Sequence, residues 1–244
     1  MHTQKALILF FLLFYLLPSS LTAQKVDVVI KKYIAFIGGK KNWKKVKTLK
    51  TSGIYNYGGI EFPFTAYAKA PNLYKFIVPL EGKYYAQAFD GEKGWKIDAF
   101  KNETSPTMLT GKEAKSMANE ADVELEDAFI DYKRKGHKVT LEQKDTIDGK
   151  ICIGVKLTRT NGDIETYYFD DVNFAVVMKI AASKNAELQG TMLNTSFSDY
   201  RNVNGIKIPF KSVSTSNDQL ILEVSIEKAE VNPTIDDREF QPPN

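Results

Sequence analysis

The sequence predicts a mainly β protein with some helix: a large, curved antiparallel sheet of roughly eleven strands, an incomplete barrel, with about three helices covering its concave side. Three observations carry this expectation. Residues 65–100 read as consecutive strands full of aromatics and punctuated by turn residues (Pro71, Glu81-Gly82, Asp90-Gly91). Residues 139–231 repeat the pattern over a longer span. Between residues 26 and 37, by contrast, apolar side chains recur at helical steps.

Taken in order, the chain opens with His2 and Lys5, an apolar run over 6–17, and Pro18-Ser19-Ser20-Leu21-Thr22-Ala23. This is the form of a secretory signal peptide over 1–23. The run is about a dozen residues, short of the ~20 a membrane span needs. Gln24 stands where a lipoprotein would carry its acylated cysteine. The expected mature chain, 24–244, is one soluble, exported, non-lipidated domain.

Val26, Val29, Ile30, Tyr33, Ile34 and Ile37 then form one stripe of an amphipathic helix ended by Gly38-Gly39. A basic turn follows, with Lys40, Lys41, Lys44, Lys45 and Lys47 around Trp43. It reads as a solvated face or as a patch for an anionic membrane surface.

From Thr48 the period is two. A strand over 49–57 turns at Gly58-Gly59 into one over 60–70, where Pro63 predicts an edge or a bulge. Beyond the aromatic strands, Thr110-Gly111-Lys112-Glu113 has the form of a capping box, opening a helix to about Asn119. A second helix is expected over 123–135, stopped by Gly136. Strands return at 139–146, 151–160, 164–169, 174–181, 190–200, 205–214 and 220–231, with turns at Asp148-Gly149, Asn161-Gly162, Asp170-Asp171 and Asn204-Gly205.

The inventory argues against chemistry. The mature chain holds one histidine, His137, and one cysteine, Cys152, and no nucleophile elbow, phosphate loop or metal-spaced cluster. His137 reads as part of a helix C-terminal cap and Cys152 as a buried, inert thiol. Glu124, Glu126, Asp127 and Asp131 read as one solvated helix face. No enzyme, cofactor or metal is expected. Removing 1–23 takes one of 33 basic residues and none of the 30 acidic ones, leaving +2 from +3. That balance excludes a strongly basic nucleic-acid surface.

With 15 Phe, 12 Tyr and 2 Trp, the strands are rich in aromatics. Phe62, Phe64, Phe76, Trp95, Ile97, Ile153, Val155, Phe174 and Met178 are expected to share one apolar face lining one cavity. From the residues alone, that face serves equally as a filled core.

The order Pro71-Asn72-Leu73-Tyr74, then Phe89-Asp90-Gly91, then Gly94-Trp95-Lys96-Ile97 resembles the periplasmic carriers of the outer-membrane lipoprotein-sorting (LolA-like, LolB-like) family. Ser198-Asp199-Tyr200-Arg201 running into Gly205-Ile206-Lys207-Ile208-Pro209, and the Phe240-Gln241-Pro242-Pro243 close, are similar to the same group. The resemblance implies a periplasmic carrier with an inward Trp95, lipid or lipoprotein acyl chains in an apolar cavity, an inner-membrane donor and an outer-membrane acceptor. The family carries an Arg before the Pro, and this chain has Ala70 there. A cavity without that polar latch is the implied consequence. The alternative is a structural or sensing module of the envelope, whose concave face is only core.

Overall fold

The computed structural model describes residues 18–124, 127–183, 188 and 190–243. Thirteen strands form one antiparallel sheet: β1 Thr48–Tyr57, β2 Ile60–Lys69, β3 Leu73–Leu80, β4 Lys83–Phe89, β5 Gly94–Ile97, β6 Thr107–Met108, β7 Lys138–Ile147, β8 Lys150–Thr158, β9 Ile164–Asp170, β10 Val176–Ala182, β11 Met192–Val203, β12 Ile206–Ser216 and β13 Gln219–Val231. The sheet order is β6-β5-β4-β3-β2-β1-β13-β12-β11-β10-β9-β8-β7. It is open at β6 and β7. Every neighbour is a sequential hairpin except β1 and β13, which pair from Leu49↔Val231 to Tyr57↔Leu222.

That long-range pair carries a bulge between Ser52 and Gly53. A Cβ on Gly53 would lie 2.0 Å from the Ser225 carbonyl oxygen, so only glycine permits this approach. Most turns have the backbone their residues forecast. Asp148-Gly149 and Asn204-Gly205 both take positive φ, as does the unforeseen Asn217-Asp218. At Asn161-Gly162 only Gly162 does, because the link is a longer loop closed by Arg159 N–H on the Asp163 carbonyl at 2.8 Å.

Helix α1, Pro18–Phe36, lies across β7–β10. Its stripe of Val26, Val29, Ile30, Tyr33 and Ile37 is buried against Val155, Leu157, Phe169 and Val176. At roughly 1.5–3 kcal/mol per buried side chain, this contact is worth on the order of 10 kcal/mol before entropy is subtracted. The helix ends where Gly38 meets the β11–β12 turn, a Cβ there falling 2.2 Å from the Gly205 carbonyl oxygen. The first seventeen residues of the expected signal peptide lie outside the described residues, and α1 takes up its last six. Helix α2, Lys40–Trp43, follows, with the Trp43 indole N–H on the Ile37 carbonyl at 2.9 Å. Helix α3, Gly111–Glu124, covers β3–β5 through Met117 and Ala121 against Phe89.

Several expectations are corrected. The sheet has thirteen strands, the short edge pair β6 among them. Phe174 (φ 64) sits in the turn before β10 and not in the strand. Glu113 accepts from Lys96 Nζ at 2.8 Å. Residues 128–136 are successive turns, with no second helix. They end in a glycine cap, His137 N–H reaching the Tyr132 carbonyl and Gly136 N–H the Lys133 carbonyl. Pro63 lies in an interior strand, but the β2–β3 ladder runs only from Thr65↔Ile77 to Lys69↔Leu73, so the proline stands beyond it. Cys152 is buried, as expected, and burial pushes its thiol above the ordinary value.

Candidate functional site

Directly opposed residues of an antiparallel pair lie on one face, so register assigns every strand side chain to a face. Tyr55 opposes Phe62 and Val224; Gly53 opposes Phe64; Ala66 opposes Phe76; Val78 opposes Tyr85. These residues form one cluster on the helix-bearing, concave face. Phe64 and Val78 are buried at its floor, while Tyr55, Phe62, Phe76 and Tyr85 remain half-buried above it. Their rings touch in sequence. Phe64 stacks on Phe76 at 5.6 Å between centroids, Phe76 meets Tyr55 edge-on at 5.2 Å, and Tyr55 stacks on Tyr57 at 6.3 Å. Phe100, on the short 3-10 turn Ala99–Lys101, leans over the strip to Phe62 at 5.3 Å and Tyr85 at 5.9 Å. Half of Phe100 (51%) is open to solvent. The strip crosses four adjacent strands, which at ~4.8 Å per strand spans roughly 15 Å.

The nine sequence-designated residues therefore do not share one face. Phe62, Phe64 and Phe76 belong to the strip. Ile153 (opposite Phe169) and Val155 (opposite Tyr167) lie on the same concave face but in the core under α1, with Phe174 packed beside them. Trp95 and Ile97 oppose Ala88 and Ala86 and lie on the other face of the sheet. Met178 opposes Tyr168, which alternates away from Tyr167, so it too points outward. Tyr55, Tyr85 and Phe100 belong to the site but were not designated. The aromatic run at 84–85 and the Phe100 beyond Ile97 were the available signals.

Trp95 has a different role. The C-terminal segment crosses the outer face: the Trp95 indole N–H donates to the Phe240 carbonyl at 2.7 Å, and Phe240 is fully buried. Lys69 Nζ donates to the Ile235 carbonyl at 2.7 Å and pairs with Asp237 at 2.6 Å. A groove of about 630 Å³ lies between this strap and Lys75, Tyr84 and Trp95. Ala70, at the end of the β2 ladder, uses its N–H on the Lys47 carbonyl at 2.9 Å.

The polar groups on the concave side support structure. Arg159 holds Glu165 through two hydrogen bonds, Nε to Oε1 at 3.1 Å and Nη2 to Oε2 at 2.9 Å, and the Tyr167 hydroxyl donates to Oε2 at 2.7 Å. Burial pushes the Glu165 carboxyl up, but Arg159 and Tyr167 outweigh it and hold the group below its ordinary value. Asp127 and Asp131 are not a solvated face. The Asp127 carboxylate accepts from the Tyr33 hydroxyl at 2.6 Å, and burial pushes it up. Asp131 accepts from Lys40 and from Lys44 (3.0 Å), which hold it down at about 2. Two of the five clustered lysines are thus tied to the 128–136 turns. Glu126 lies outside the described residues, as does the Glu124 side chain. Among the described residues no group of three or more His, Cys, Asp or Glu side chains is placed to hold a metal. No described helix is long and apolar enough to cross a membrane.

An open antiparallel sheet, helices on its concave side and an aromatic strip left partly uncovered together define the architecture. Three solved structures share it. A DUF1329 family protein from Desulfovibrio piger aligns over 88% of this chain and 97% of its own, with a TM-score of 0.59 at 12% identity. A LolA superfamily protein from Nitrosomonas europaea aligns over 88% and 96%, with 0.55 at 11%. An outer membrane lipoprotein-sorting protein domain from Vibrio parahaemolyticus aligns over 86% and 97%, with 0.50 at 10%. No family model matches the chain, and no curated protein matches it. The chain shares its fold with these structures, one of them a LolA superfamily protein, in line with the sequence resemblance.

Proposed function

We propose that this protein is a periplasmic, non-enzymatic carrier that holds lipid acyl chains, free or on a lipoprotein, against the concave aromatic strip for transfer toward the outer membrane. One observation carries the reading: Tyr55, Phe62, Phe76 and Tyr85 form a contiguous ring cluster that the helices leave half-covered, with an exposed Phe100 leaning over it. A filled core would not leave such rings open along one strip. The fold shared with a lipoprotein-sorting domain supports the same reading.

The energetics suit a shuttle. An acyl chain of about a dozen carbons at ~0.8 kcal/mol per CH₂ represents ~10 kcal/mol of aversion to water. A half-open strip offsets part of this and still releases cargo to a better acceptor. The inner-membrane donor and outer-membrane acceptor belong to the same proposal. So does an anionic contact at the basic turn, now reduced to Lys41, Lys45 and Lys47.

The test is titration of a fluorescent fatty acid, with mass spectrometry of lipid co-purified from the native envelope. Phe62→Asp is expected to weaken probe binding at least about tenfold, which corresponds to ~1.4 kcal/mol. Phe174→Asp, in the α1 core side, disturbs folding instead and is scored by circular dichroism. Saturable binding that Phe62→Asp leaves unchanged, or no binding by folded protein, would favour a structural or sensing module.

A further inference from the structure

One rim of the sheet is apolar at hairpin after hairpin. Tyr57 and Ile60 flank the β1–β2 turn, Tyr84 follows the β3–β4 turn, Leu220 the β12–β13 turn, and Met192 opens β11. All five are exposed, Ile60 by 61% and Met192 by 52%. Antiparallel alternation puts these strand ends on the same side of the molecule, whereas Gly205, α2 and its lysines lie at the other. Helix α1 runs between the two ends. Its last residues meet the Gly205 turn, while Asp27 accepts from Lys133 Nζ at 2.6 Å, just before β7 begins. The helix therefore begins at the apolar rim, and the apolar run 6–17 of the sequence joins it there.

We infer that this rim docks on the surface of a lipid bilayer, with the tips of the β1–β2 and β12–β13 hairpins and Met192 seated at the headgroup boundary. Spread over successive hairpins, the side chains make a broad front and not a slot for a peptide. The two tyrosines suit the interface, with an apolar body and a polar tip. Charges between them are mixed, Glu61, Glu81 and Asp218 against Lys83, so apolar insertion and not attraction to anionic lipid drives the contact. Until it is cleaved, the apolar N-terminal run tethers this end of the chain to the membrane during export, which favours a bilayer over a second copy of this chain. The aromatic strip opens toward the same rim through Tyr57 and Phe100, so docking would place it beside the lipid. The inference does not require that the strip carry cargo.

Vesicle flotation of the protein, isolated as the producing cell processes it, tests this with neutral phosphatidylcholine vesicles. The expected result is flotation little changed between low and 0.5 M salt, on the reasoning that screening removes charge attraction and leaves apolar insertion. Ile60→Glu/Met192→Glu/Leu220→Glu should reduce bound protein at least about tenfold. Ile151→Glu/Val172→Glu, exposed apolar positions at the hairpins of the far end, should stay within about twofold on the same reasoning. All three rim positions are exposed, and circular dichroism confirms that the variant is folded. No flotation of wild type, equal flotation of the rim variant, loss only in the far-end variant, or a dimer that the rim substitutions dissociate would each overturn it. Loss of flotation with fluorescent fatty-acid binding intact would overturn the docking alone and leave the carrier reading standing.

Discussion

Replacing Phe240 with alanine should release the C-terminal strap and report through Trp95. The ring is fully buried against the outer face, so its loss costs ~3–5 kcal/mol in transfer and cavity energy. The other ties are individually weaker: hydrogen bonds from Trp95 and from Lys69 to the Ile235 carbonyl, at ~1 kcal/mol each, and the Lys69–Asp237 and Lys75–Glu239 pairs, whose carboxylates are largely exposed and contribute at most about 1 kcal/mol each. Against them stands ~1–2 kcal/mol of backbone entropy for each residue released. Phe240 is thus the dominant anchor, and without it the strap detaches while the sheet stays folded. If the full ~3 kcal/mol registers in global unfolding, the melting temperature falls by roughly 6–12 °C, at 2–4 °C per kcal/mol for a chain of this size. Trp95, 1% exposed in the native fold, becomes solvated, and its emission moves to the red. The measurement is an emission spectrum beside a thermal melt. The strap and the aromatic strip occupy opposite faces, so fluorescent fatty-acid affinity should stay within about twofold, well below 1.4 kcal/mol. An unchanged emission maximum with melting within about 2 °C would refute the anchoring argument.

Arg159→Met leaves Glu165 buried without its partner and should cost ~3–5 kcal/mol at pH 7.5. In the wild type the folded carboxyl lies below its unfolded value, so its contribution is present above the unfolded carboxylate range and lost as pH falls through the folded value. In the variant only Tyr167 and Lys179 still oppose burial, so the group rises and protonation relieves it. Urea titrations at pH 7.5 and about 4.5 should therefore show the difference shrinking at the lower pH, and a pH-independent difference would contradict the assignment. Ala70→Arg tests the latch implied by the sequence resemblance. Two or three hydrogen bonds at ~1 kcal/mol each would slow lipid transfer to acceptor vesicles by roughly ten- to a hundredfold, and an unchanged rate would show that position 70 does not govern exchange.

Local chemistry made the elements legible. Asp148-Gly149 and Asn204-Gly205 forecast their hairpins because few other residues take positive φ at both positions. The 26–37 stripe forecast the face that α1 buries, and Gly136 the end of the turn segment. The strip was half legible. Phe62, Phe64 and Phe76 were found by alternation, whereas Tyr55, Tyr85 and Phe100 were missed because they join it from neighbouring strands and a turn.

What the residues by themselves determined is which side chains within one strand share a face. They could not determine which of the two faces that is relative to the next strand. Trp95 alternates correctly with Lys96, yet the phase of β5 against β3 depends on how many residues the 90–93 turn absorbs. A slip of one residue exchanges the two faces. Only the assembled ladder, with Ala88 opposite Trp95, put the indole on the outer side. The β1–β13 pairing, which brings Val224 and Ile226 to the aromatic cluster, joins segments that no local signal relates. Phe240 could be buried over β3, with its carbonyl on the Trp95 indole, only after the strands had created that outer surface. Turn chemistry acts over a few residues, while the face of a sheet is a property of register, and register exists only once distant strands have paired.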